Sequence, residues 1–140
     1  MTKHLHPPAL VKLTLILLLI WNIMGVLIFL IDQIVDPSTL DAINQEFKSR
    51  FPFWTKIVYG LAVSLGTIGT LGLLKRKIWA KNILIGSLLC VIVQMYHSLF
   101  IAGAIETFGV TKIIFPGIII FLALFSVWIA DLHRIKGWFI

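Results

Sequence analysis

The chain has 140 residues, of which 59% are hydrophobic and only 13% charged, whereas soluble globular chains carry about 45–50% apolar residues and about a quarter charged ones. A water-soluble domain of this length could not bury so much apolar surface, and the length leaves room for one domain. The formal net charge of +6 raises nucleic acid as a partner, but the placement of the cations argues for lipid.

Four apolar runs, Leu13 to Ile31, Ile57 to Leu74, Ile83 to Ile105 and Ile113 to Ala130, are each long enough to cross a hydrocarbon core of about 30 Å at about 1.5 Å per residue. Backbone polar groups in lipid must satisfy one another, so runs of this length are helices. The expectation is an all-α integral membrane bundle of four antiparallel transmembrane helices.

The first run comes after Lys3 and Lys12 in the manner of a signal peptide. It is too long for one, and it leads into Asp32 and Asp36 with no small-residue cleavage site, so it reads as a retained helix. The one sizeable loop, from Asp32 to Pro52, is mildly acidic. Ser38 followed by Asp41 resembles a capping box, and Leu40, Ile43 and Phe47 recur at helical spacing, which predicts a short amphipathic segment over about 38–50. Phe51, Phe53 and Trp54 then suit the headgroup level.

The second run is rich in small residues. Ala62, Gly66 and Thr70 lie four apart, with Gly69 and Gly72 nearby; this pattern lets a neighbouring backbone approach closely, within the chain or from a second copy. A homodimer, or packing on a partner membrane subunit, is expected. The next turn holds Lys75, Arg76, Lys77 and Lys81 beside Trp79. In a short connection between membrane helices these cations are expected to meet anionic lipid headgroups, and no nucleic-acid partner is expected.

The third run contains Cys90, the sole cysteine, which excludes an internal disulfide and paired-thiol chemistry. Ser87, Cys90, Gln94, His97 and Ile101 recur at steps of three and four and form one stripe that should face protein. Pro116 and Gly117 open the fourth run, where proline in a first turn costs little. Trp128, Trp138 and Phe139 flank Arg134 and Lys136 as interfacial anchors.

Counting Lys and Arg between the runs places Lys3, Lys12, Lys75 to Lys81, Arg134 and Lys136 on one side, and the positive-inside rule makes that side, with both termini, cytoplasmic. From the outer ends of the runs, Asn22 lies about 13 Å deep and Gln94 and His97 about 12–17 Å deep. Tyr59 enters from the same side. Asn22, Gln94, His97 and Tyr59 are therefore the candidate substrate-binding residues, since polar groups inside a membrane often mark a solute path; they are equally able to serve as interhelical hydrogen-bonding glue. His97 would add a group that titrates near neutral pH. The runs hold no second histidine for a haem, no lysine for a Schiff base and no nucleophile or metal constellation, so no cofactor, metal or catalytic residue is expected.

Trp21-Asn22 with Met24-Gly25, Arg76-Lys77 with Trp79-Ala80, Ser87-Leu88-Leu89 leading to Gln94, and Lys136-Gly137-Trp138 together resemble a group of small four-helix bacterial membrane proteins that go by the name of sugar transporters. The resemblance spans nearly the whole chain. It implies a multi-pass protein of the bacterial inner membrane, a transport function, and Asn22 and Gln94 as site residues; the proline-glutamine signature of three-helix sugar carriers is missing. The resulting expectation is a small permease-like protein for a polar or amphipathic solute. The alternative is a non-catalytic accessory subunit of a larger membrane complex.

Overall fold

The computed structural model describes residues 5–140 and contains helices and turns, with no strand among the described residues. Helix α1 (Ala9–Ile34) is followed by a 3-10 turn (Pro37–Thr39) and the short α2 (Ala42–Ser49). Then come α3 (Phe53–Leu74), α4 (Ala80–Tyr96), a π-helical turn (His97–Ile101), α5 (Ala104–Phe108), a second 3-10 turn (Val110–Ile113) and α6 (Ile114–Ile135). Four segments, Ala9–Ile34, Phe53–Leu74, Ala80–Ile101 and Val110–Ile135, are long and apolar enough to cross a membrane. Much of their apolar surface points outward, including Leu13, Leu17, Ile20, Leu89, Phe121 and Leu124. Such a surface is stable against lipid and not against water. The protein is an all-α, multi-pass membrane protein built on a four-helix bundle.

The third span ends earlier than its hydropathy predicts. Apolar residues continue to Ile105, but the backbone leaves the helix after the π-helical turn, and Gly103 adopts the left-handed conformation at φ 77°. Apolar composition extends a hydropathy window; it does not carry a helix past that reversal.

Helix α1 packs along α3, α3 along α4, and α4 along α6, while α1 and α6 hardly meet. The tightest of these contacts, between α3 and α4, depends on the small residues of α3. A methyl group added at Gly69 would lie 2.6 Å from Leu84 Cδ2, and one at Gly72 would lie 2.7 Å from the Trp79 ring. With no hydrophobic drive between helices in lipid, this close fit supplies the association. The small-residue face of α3 is thus occupied within the chain, by α4 and by Asn22 of α1.

One end of the bundle, here the base, gathers the segment before α1, the α3–α4 turn and the segment after α6. Leu15, Leu18, Leu73, Ala80, Leu84, Ile129 and Ala130 form a continuous buried cluster toward it. Helix α3 ends with paired hydrogen bonds from Arg76 N to Leu73 O (2.9 Å) and from Lys77 N to Gly72 O (2.8 Å), the Schellman arrangement that usually has glycine at the left-handed position. Here that position is Arg76, at φ 61°. Its guanidinium donates to Trp138 O (2.7 Å), Leu5 O (2.7 Å) and His6 Nδ1 (3.0 Å), and Ile140 N donates to Arg76 O (2.9 Å). Helix α6 ends in the same way with Gly137, φ 68°, at the equivalent position. Lys81 Nζ pairs with Asp131 Oδ1 at 2.8 Å and joins α4 to α6.

At the opposite end, the crown, the capping differs from the sequence expectation. Ser38 does not cap the amphipathic segment. Asp36 accepts from Ser38 N (2.9 Å) to start the 3-10 turn, which holds its carboxyl below the usual range, and Asp41 accepts from Asn44 N (3.1 Å) to start α2. Helix α2 lies over the bundle end: Phe47 meets Phe51 and Phe108 edge-on at 5.1 and 5.2 Å, and Arg50 Nη1 donates to Ala102 O (2.9 Å) and Thr107 Oγ1 (3.0 Å). Lys48 bonds Asp32 at 2.6 Å and fastens α2 to the end of α1.

Candidate functional site

Between the four spans lies a cavity of about 320 Å³, at the lower end of the roughly 300–1,000 Å³ usual for small-molecule sites. Asn22, from the middle of α1, occupies its floor. The Asn22 amide nitrogen donates to Leu18 O (2.8 Å) within its own helix and to Thr70 Oγ1 (3.3 Å) on α3, while Thr70 Oγ1 donates to Gly66 O (2.7 Å). The Asn22 carbonyl oxygen sits against Gly66, where any side chain would collide with it. Ser87 on α4 donates to Ala62 O at 2.7 Å, and Ser126 on α6 donates to Leu122 O at 2.8 Å. Two of these bonds, Asn22 to Thr70 and Ser87 to Ala62, tie α1 and α4 to the small-residue face of α3.

Apolar groups make up most of the remaining wall, among them Val63, Val91, Met95, Ile119, Leu122 and Ala123. Among the described residues, no aspartate, glutamate, lysine, arginine or histidine lines the cavity. No group of three or more His, Cys, Asp or Glu side chains arranged to hold a metal ion occurs among them either.

A second chamber of about 910 Å³ opens under the crown, between the end of α1, α2 and the start of α3, with Asp32, Lys48, Lys56, Asn44 and Gln45 in its wall. Ile28, Tyr59 and Gln94 line both chambers. They form the partition between a polar vestibule and the apolar cavity. The Tyr59 ring is fixed edge-on against Phe29 at 5.1 Å, and Gly60 allows the Phe29 ring to come close. Gln94 Oε1 is buried without a hydrogen-bond partner, which costs free energy unless a donor reaches it.

The structure therefore brings Asn22, Tyr59 and Gln94 to one cavity, and it places His97 elsewhere. His97 is buried with its ring between Phe51 (5.1 Å) and Trp54 (5.3 Å), and it lines neither chamber. The reason is local: His97 begins the π-helical turn, and Phe51, just before α3, and Trp54, in its first turn, take up its ring. Phe51 faces the vestibule, so His97 supports that wall from behind. The stripe of the third span breaks in the same turn, with Ile101 exposed. Trp21, Met24, Phe115 and Ser126 also line the cavity; the sequence marked Trp21 and Met24 only as part of the resemblance and did not single out Phe115 or Ser126. The serine alone carried a signal, a hydroxyl inside an apolar run.

On one flank the cavity has almost no wall. Where α1 and α6 diverge, Met24, Ile28 and Phe115 line the cavity yet are 50%, 52% and 59% exposed. At this level the tilted contact of Trp21 with Phe115, with ring centroids 6.3 Å apart, spans the seam. No protein-family model matches the chain, and no curated protein or solved structure is similar to it at a significant level.

Proposed function

We propose that the protein is a small permease-like membrane protein that binds a polar or amphipathic solute in the cavity between its four spans. The observation that carries this reading is the shared partition: Ile28, Tyr59 and Gln94 border both the outer chamber and the inner cavity, so a rearrangement of these side chains would connect them. The apolar cluster from Leu15 to Ala130 closes the base, which leaves the crown as the side of aqueous access. The resemblance to small bacterial sugar-transporter proteins points the same way and makes the bacterial inner membrane the proposed location.

In this reading the base is cytoplasmic, by the positive-inside rule. Arg76 and Lys81 are engaged within the chain, which leaves the exposed Lys75 and Lys77 to anionic headgroups. A dimer would use the lipid-facing surfaces, since the small-residue face of α3 is filled from within. Labelling with an impermeant thiol reagent from outside is expected to modify Ser49→Cys and spare Lys77→Cys; the reverse pattern would invert the orientation.

The binding reading is tested with Gln94→Leu. This near-isosteric change removes the amide without opening a hole, so solute binding or flux in proteoliposomes should fall at least about tenfold while the melting temperature in detergent stays near wild type. A packing role alone predicts unchanged flux instead, since the buried Gln94 carbonyl oxygen has no hydrogen bond to lose.

A further inference from the structure

We infer that the ligand of the cavity is a neutral, membrane-borne amphiphile with a hydroxyl-bearing head and a short apolar body, which enters sideways from the bilayer between α1 and α6. The inference rests on the proposed binding function and names the class of molecule bound.

Three observations on the cavity converge on it. First, the polar groups are few against a wall that is mainly apolar, and several are committed: the Asn22 amide nitrogen and the Ser87 and Ser126 hydroxyls already donate to protein oxygens. A free sugar would bring more hydroxyl groups into this apolar wall than the Tyr59 and Gln94 side chains can answer. A single hydroxyl fits better, because it can donate to the Gln94 carbonyl oxygen, which is buried without a partner. A hydroxyl also accepts, so it answers the Gln94 amide whichever way that group is turned.

Second, charge is excluded. A carboxylate or ammonium head would lose its hydration in a cavity that has no charged side chain in its wall among the described residues, a penalty of several kcal/mol per ion even after relaxation. The head must be uncharged. The volume of about 320 Å³ suits one short chain and not the two long chains of a phospholipid.

Third, the seam gives access. Helices α1 and α6 hardly pack together, and Met24, Ile28 and Phe115 belong both to the cavity wall and to the exposed surface. In a bilayer that surface is bathed by acyl chains. An amphiphile already in the leaflet can pass between Trp21 and Phe115 without leaving lipid, while its head reaches Asn22 and Gln94.

The experiment uses the full chain in nanodiscs and two photoactivatable probes that differ only in the head: a medium-chain primary alcohol and the matching carboxylic acid at alkaline pH, each with a diazirine at the tail. The alcohol should label the peptides around Met24 to Ile28 and Phe115 to Ala123. Labelling there should exceed that at the lipid-facing Leu13 and Leu124 and should be competed by unlabelled alcohol. The acid should label the cavity peptides about tenfold less or weaker still. Phe115→Ala, at an exposed position, should speed alcohol labelling several-fold, and Gln94→Leu should reduce it. Equal labelling by alcohol and acid, or labelling no stronger in the cavity than at Leu13, would overturn the inference. A water-soluble photoactivatable sugar provides the separating arm. If it labels the cavity and the alcohol does not, the binding reading stands and the amphiphile is wrong; if neither labels it, both readings fail.

Discussion

Gly66→Leu is expected to unfold the bundle or to lower its stability in detergent by about 1–3 kcal/mol or more, the range for forcing extra methylenes into a closely packed interior. A Cβ at Gly66 meets the Asn22 carbonyl oxygen at once and lies 3.3 Å from Ser87 Oγ. Leucine then has to displace α1, and with it the bond from Asn22 to Thr70. Leucine is a better helix former than glycine by about 1 kcal/mol, but that gain is smaller than the clash. Thermal melting checks the sign, and Gly117→Leu is the control, because no atom lies within 4 Å of a Cβ placed there. The tail glycine, Gly137, looks neutral in sequence and is not: at φ 68° any side chain is strained. Equal losses at Gly66 and Gly117 would mean that α3 does not touch α1 and α4 as described.

Arg76→Ala should cost more stability than Arg76→Gly, although both remove the same guanidinium. The two variants share the loss of the bonds to Leu5 O, Trp138 O and His6 Nδ1. Hydrogen bonds to charged groups contribute about 1.5–3 kcal/mol when sheltered, and less at this half-exposed position. Alanine retains the strain of the left-handed backbone at φ 61°, about 1–2 kcal/mol that glycine does not carry. Melting curves should therefore rank wild type, glycine and alanine in descending order. Limited proteolysis should cut the segment after α6 faster in both variants, since its anchor is gone. If alanine equals glycine, the backbone at 76 is not held in the left-handed region.

What the sequence made legible was set by composition acting over long stretches. Four helices could be read from apolar length, and the role of Gly66 and its neighbours from small residues at a spacing of four, because both effects repeat over several turns. Asn22 and Gln94 could be grouped by depth, since spans of similar length place their residues at comparable levels, and Tyr59 joined them by entering from the same side. Depth says nothing of direction, however. His97 lies one turn from Gln94 at a similar level, yet its ring turns to Phe51 and Trp54, a choice made by the π-helical turn and by a different helix. The seam between α1 and α6 was equally hidden, for it comes from two helices failing to pack, and nothing in the apolar character of Met24 or Phe115 tells a cavity wall from a lipid-facing surface. The partners of Arg76 were unreadable for another reason: a basic residue in a membrane turn gives no sign that it will serve backbone carbonyls in place of headgroups.

The π-helical turn also sets a rule for chain length. It closes with Ala102 N on His97 O at 2.7 Å, one residue longer than an α-helical bond. Removing a single residue from His97 to Ile101 would restore the α-helical phase and rotate the downstream segment by about 100°. Ala102 O would then turn from Arg50 and Phe108 from Phe47, and α2 would lose two of its holds on the crown. The loop from Asp36 to Asp41 has no such phase to keep. In a lineage of such proteins, deletions would accumulate in that loop, and the five residues of the turn would keep their number even where their identities drift.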